Sequence, residues 1–215
     1  MREIRKRKKA GIKDFILRNI HDNLKSYLIV IILFIIGIVA GVIFINNANE
    51  AQGVEIQDYI NSFISSLKQD YHIDKMELLK SSLWDNFILI ISMWFIGSTV
   101  IGIPIVFGIV IFRGSCIGYA ASSAVAVLGA QKGIIFLLTT MFLQNIIFIP
   151  IIVCMAVSCI RLYKSIMKDK RRENIKLEII RHTLVSIMLF IVLVIATLIE
   201  VYISTNLLML CLNLL

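Results

Sequence analysis

From Asn86 to Phe112 the chain runs for twenty-seven residues without a charge, and a run of that kind decides the solvent before any motif is read. As a helix it is about 40 Å long, more than the roughly 30 Å hydrocarbon core of a bilayer. Four further apolar runs are long enough to cross: Tyr27 to Ile45, Gly114 to Ala130, Gly133 to Ile160 and Thr183 to Tyr202, charge-free but for Glu200 near the end of the last. With 59% hydrophobic residues overall, the chain reads as an all-α polytopic helical membrane protein. About five transmembrane helices are expected, two of them proline-kinked, with an amphipathic helix or helices outside the membrane.

The charges lie between these runs and alternate in sign. Residues 1–26 carry nine Lys/Arg against three acids, residues 46–85 three against seven, and residues 161–181 eight against three. The positive-inside bias then sets the topology. A basic cytoplasmic segment, 1–26, precedes a single membrane domain, 27–215. Its spans are 27–45, 86–112, 114–130, 133–160 and 183–202, with an outer loop 46–85 and an inner basic loop 161–181. The N-terminus is then cytoplasmic and the C-terminus extracytoplasmic, with the apolar tail 203–215 interfacial or re-entrant. Counting 86–112 as one span sets Arg113 at an inner turn, and Gln131-Lys132 marks an outer one. The formal net charge of +8 comes from span-flanking blocks facing anionic lipid, so membrane lipids are expected as partners and nucleic acid is not. Cys116, Cys154, Cys159 and Cys211 sit in apolar runs as small hydrophobes.

Both prolines fall within long apolar runs, on either side of a segment of small residues. Gly97, Gly102 and Pro104 interrupt one run; Gln144, Asn145 and Pro150 mark another; Gly114, Gly118, Ser122, Ala126 and Ala130 recur every fourth residue between them. Counted from Arg113 and Arg161, Pro104 and Pro150 lie about 14–16 Å deep, near the midplane. Each would free a carbonyl four residues earlier, Val100 and Ile146, for which Ser98, Thr99, Gln144 and Asn145 are candidate partners. Paired midplane kinks suit a transporter cavity. With Arg113 at a turn and Glu200 near a span end, however, the interior holds no charge, and helix packing is the better account. Gly37 and Gly41 offer a second close-approach face, and either small face suits a homo-oligomer.

In the outer loop Ile56, Ile60, Phe63 and Leu67 recur at helical spacing, as do Met76, Leu79 and Leu83. Such a helix either covers the ends of the spans or docks an outside partner. His21, His72 and His182 lie in different segments and no catalytic signature is present. The expectation is a noncatalytic protein with no cofactor and no metal site.

Gly102-Ile-Pro104-Ile-Val-Phe, Arg113-Gly114 with the small-residue helix, and Leu143-Gln-Asn145-Ile-Ile-Phe-Ile-Pro150 together resemble the stage II sporulation protein M family. The resemblance covers roughly residues 20–205; the family often has a proline where Leu143 stands. It implies a mother-cell membrane protein of forespore engulfment at the sporulation septum. It also implies a scaffold role with two peptidoglycan hydrolase partners, a lytic transglycosylase and an amidase/endopeptidase. The docking reading of the outer loop gains from that, since cell wall lies on its side. The alternative is a small transporter or lipid-handling protein.

Overall fold

The computed structural model describes residues 21–68, 75–99, 101–168 and 172–211, with side chains at 66–68, 75, 142–144, 168, 172–174 and 203–211 outside the description. The basic block 1–20, the Val100 carbonyl, the Gln144 and Leu67 side chains and residues 212–215 therefore lie outside it. Six α-helices follow in order: α1 (Leu24–Asn46), α2 (Glu50–Lys68), α3 (Lys75–Gly97), α4 (Gly102–Leu137), α5 (Leu143–Lys168) and α6 (Arg172–Cys211). A π-helical segment, Leu138–Phe142, joins α4 to α5. No strand occurs among the described residues. All but α2 are long and apolar enough to cross a membrane, giving five candidate spans.

Helix α5 is the centre of the bundle. Its apolar stretch is 56% buried, against 22–28% for the other four. Ile152, Met155, Ala156 and Cys159 on α5 pack with Val30 and Phe34 on α1, Met93 on α3, Val106 and Val110 on α4, and Leu193 on α6. The remaining apolar side chains, such as Ile32, Ile36 and Val39 on α1 and Ile187, Met188 and Ile191 on α6, point away from the protein. That arrangement suits lipid and would be costly in water.

The second-to-third-span turn differs from its expected place. It lies between the end of α3 at Gly97 and the start of α4 at Gly102, and Arg113 is inside α4. The reason is local. Ser98 and Thr99 hydroxyls donate to the carbonyls of Trp94 and Ile96, both at 2.7 Å, and close off the last carbonyls of α3. A Cβ at Gly102 would run into the Ile96 carbonyl, so glycine permits the tight re-entry. Pro104 then stands in the first turn of α4, where its missing N–H costs nothing because no intrahelical acceptor awaits it. A lone arginine breaks no helix; glycine and proline do. Pro104 is thus at a helix start and not at a midplane kink, and only Pro150 lies in a helix interior. Pro104→Ala is expected to shift the melting temperature of the detergent-solubilised protein by no more than about 1 kcal/mol equivalent. A loss several times larger would show that the ring is needed for more than its backbone angle.

The other boundaries shift with it. The turn at the far end is at Gly129, with φ 78° and ψ 165°, two residues before Gln131-Lys132. There α4 reverses, so that Gly133 packs back on Val125. The inner loop is shorter than 161–181 because the helices run on into it. Arg161 holds Glu178 through two 3.1 Å hydrogen bonds across that end. Residues 203–211 continue α6 as one helix and form no separate interfacial element. The number of crossings is unchanged.

Candidate functional site

Helices α1 and α4 run parallel: Gly37 lies on Ile111 and Gly41 on Ser115, while Gly114 lies on Phe34 and Gly118 on Ile38. A Cβ at any of these four glycines would collide with a backbone carbonyl of the facing helix. The two glycine pairs are therefore partners of each other, which is the geometry small residues allow in membranes. The stripe does not continue. Ser123 and Ala124 are buried, Ser122 is half-buried and Ala126 is exposed. A four-residue step over-rotates a 3.6-residue helix by about 40°, so by Ala126 the stripe has turned well away from α1.

This register also fixes the depth of Arg113. The uncharged stretch of α1, Tyr27 to Ile45, is centred near Ile36, and Gly37 faces Ile111 and Gly114. Arg113 therefore lies near the middle of the membrane, not at its inner turn, and the expected charge-free interior is wrong. Its guanidinium sits 5.3 Å from the centre of the Phe148 ring. Among the described residues no carboxylate lies within ion-pair distance of it. The ring face is attractive to the cation but accepts none of its N–H donors in the manner of an oxygen.

Arg113 opens on a cavity of about 170 Å³ between α3, α4 and α5, shared with Ser82, Asp85, Asn86, Asn145 and Phe148. Two of these polar groups are held by the fold. Asn86 is buried and its Nδ2 donates to Thr197 Oγ1 on α6 at 3.0 Å. Asn145 Nδ2 donates to the Met141 carbonyl at 2.9 Å. That second bond belongs to the π segment: Thr139 and Thr140 hydroxyls donate to the carbonyls of Ile135 and Phe136 before it, and Asn145 donates to that of Met141 within it. Backbone groups that lipid cannot satisfy are thus met from within. Asn145 serves this segment and not the Ile146 carbonyl. With both amide nitrogens engaged, Asn86 and Asn145 leave their oxygens as acceptors, beside one carboxylate and one guanidinium.

Sequence reasoning missed this pairing because Asp85 stood at the edge of a loop and Arg113 at a turn. The available signal was the Gly-Ser-Thr…Gly-x-Pro run at 97–104, which ends one helix and starts the next. Gly97 has a separate role: a Cβ there would strike Cys159 Sγ, so it admits α5 against α3.

Helix α2 turns its apolar stripe inward. Ile60 and Ile64 are buried, Ile56 is half-buried, and the Phe63 ring meets Phe136 edge-on at 6.3 Å. Ile56, Ile60 and Phe63 line a 580 Å³ groove with Phe44 and Tyr119. The stripe therefore faces α4 across this groove, with Phe63 still partly exposed. Val54, on the opposite side, is exposed, and Tyr59 stands exposed at the rim of the groove.

A family model described as Stage II sporulation protein M matches residues 30–205. The chain belongs to that family. The match takes in four of the five candidate spans whole, the first from residue 30 onward, and both halves of the Arg113 cavity. Stage II sporulation protein M membership makes this a sporulation-related multi-pass membrane protein. No curated protein and no solved structure matches the chain.

Proposed function

We propose that this chain is a noncatalytic membrane scaffold for sporulation engulfment. It anchors and localises two peptidoglycan-degrading partners, a lytic transglycosylase and an amidase/endopeptidase, at the septum in the mother-cell membrane. The observation that carries this reading is the family match over residues 30–205, which reaches into all five candidate spans. The basic end of the bundle, with Arg161, Lys164 and Arg181, faces the cytoplasm, and the end bearing α2 and the Gly129 turn faces the wall. Because the Ile56–Ile60–Phe63 stripe faces the groove beside the spans, docking falls to the exposed surface of α2 formed by Val54 and, at the groove's rim, Tyr59.

Co-purification from sporulating cells tests it. Tagged protein is expected to retain both hydrolases, and Val54→Glu with Tyr59→Glu is expected to reduce recovery of at least one by about tenfold or more while protein yield stays constant. If wild-type protein extracted in mild detergent retains neither hydrolase, the scaffold reading fails. If both charge substitutions leave retention intact, this face is not the docking surface. A small transporter or lipid-handling role is the second reading, and the polar cavity between α3, α4 and α5 is the observation that favours it.

A further inference from the structure

The Arg113 cavity has a chemistry that helix packing does not require. An arginine near the middle of a bilayer is expensive unless something compensates it, and such residues in membrane proteins cluster where a polar ligand or ion is handled. Here the compensation is incomplete. Phe148 supplies a ring face. The nearest acidic group on the cavity wall, Asp85, stays outside ion-pair distance of Arg113. Guanidinium and carboxylate thus face one space of about 170 Å³ without closing on each other.

Consider what could fill that space. A simple anion on Arg113 would leave Asp85 opposed to it, and a simple cation on Asp85 would be opposed by Arg113. A ligand carrying both charges answers both walls. Its oxyanion takes the planar donor fork of Arg113. Its ammonium takes Asp85 and the amide oxygens of Asn86 and Asn145, whose nitrogens are already committed to Thr197 and to the Met141 carbonyl. The volume of about 170 Å³ suits a group of amino-acid size.

We propose that the cavity between α3, α4 and α5 binds a small zwitterion, a primary ammonium separated by a few bonds from a carboxylate or phosphate, held by Arg113 at one end and Asp85 at the other. Two sources share this chemistry: the phosphoethanolamine headgroup of a lipid and a free amino acid. The proposal stands apart from the scaffold reading and survives or fails without it.

Calorimetric titration of the intact detergent-purified protein tests it, with phosphoethanolamine and alanine as zwitterionic probes and with inorganic phosphate, acetate and methylammonium as single-charge controls. At least one zwitterion is expected to bind and the controls to bind at least tenfold more weakly. Arg113→Gln and Asp85→Asn are each expected to weaken that binding at least tenfold. Asp85 is exposed, so Asp85→Asn should keep the fold even if Arg113→Gln does not, and its thermal melting provides the check. Protein reconstituted in phosphatidylethanolamine nanodiscs separates the sources. Loss of alanine binding there, with binding retained in phosphatidylglycerol discs, indicates the lipid; equal binding in both indicates the amino acid. Either supports the site. Phosphate or acetate binding as well as the zwitterions would overturn the proposal in favour of a plain anion site. Absence of any titration, or zwitterion binding indifferent to Asp85→Asn, would overturn it in favour of a hydrated pair with no ligand.

Discussion

Gly118→Leu is expected to abolish recovery of folded, monodisperse protein, whereas Ser122→Leu, one step further along the same stripe, is expected to leave it close to wild type. At Gly118 the first carbon of any side chain meets the carbonyl and Cα of Ile38, which are backbone and cannot rotate aside. Overpacking by side chains alone costs about 1–3 kcal/mol; here α1 must move bodily, so Gly114 loses its contact with α1 and Gly37 and Gly41 lose theirs with α4. The expected loss is therefore above about 3 kcal/mol, a large part of the stability a domain possesses. Ser122 is half-buried beside the buried Ser123 and Ala124, so a leucine there can lean toward lipid at a cost below about 1 kcal/mol. Size-exclusion profiles and thermal melts of both variants in one detergent decide the matter. Equal behaviour, whether both fold or both fail, would mean that α1 does not seat on the Gly114–Gly118 face.

The same pair shows how far the sequence could be read. Gly37–Gly41 and Gly114–Gly118 were each legible as close-approach faces, because small residues one turn apart have few other uses in a span. That they face each other was not legible: partner choice depends on which helices lie parallel and at what register, and no local pattern states either. Five apolar crossings were legible because length and charge decide them. The misplaced turn had a definite physical origin. Arg113 was weighted as a boundary by its charge, and Pro104 as an interior kink by its position in an uncharged run. The hydroxyl caps at Ser98 and Thr99 and the tolerance of proline in a first turn outweigh both. From that single displacement followed the larger error, a membrane interior without charges. Asp85 and Arg113 are separated by the turn in sequence and brought to one cavity by the true register, so the polar site became visible only once the helices were correctly cut.

The hairpin between α4 and α5 carries the second large effect, through two glycines that act for different reasons. Gly129 adopts φ 78° and ψ 165°, a region essentially confined to glycine and costing other residues about 1–3 kcal/mol. A Cβ there would touch nothing within 4 Å, so the whole penalty is conformational. Gly133 is helical, and a Cβ there would lie 2.7 Å from Val125 Cα and 2.9 Å from the Ala124 carbonyl, so its penalty is steric. Gly108, in the same helix, has open space around it, and Gly108→Ala is expected to raise stability by up to about 1 kcal/mol from helix propensity alone. Against that control, Gly129→Val and Gly133→Val are each expected to lower the thermal midpoint by several degrees, and the double substitution to lose the compact fold. Because Gly129 fixes the reversal and Gly133 fixes the distance between its arms, loosening either lets α5 slide along α4 and separates Asn145 and Phe148 from Arg113. Zwitterion binding should then weaken in each single variant that still folds. If Gly129→Val melts like Gly108→Ala, the chain does not reverse at that residue, and the antiparallel register that brings Phe148 to Arg113 would have to be set elsewhere.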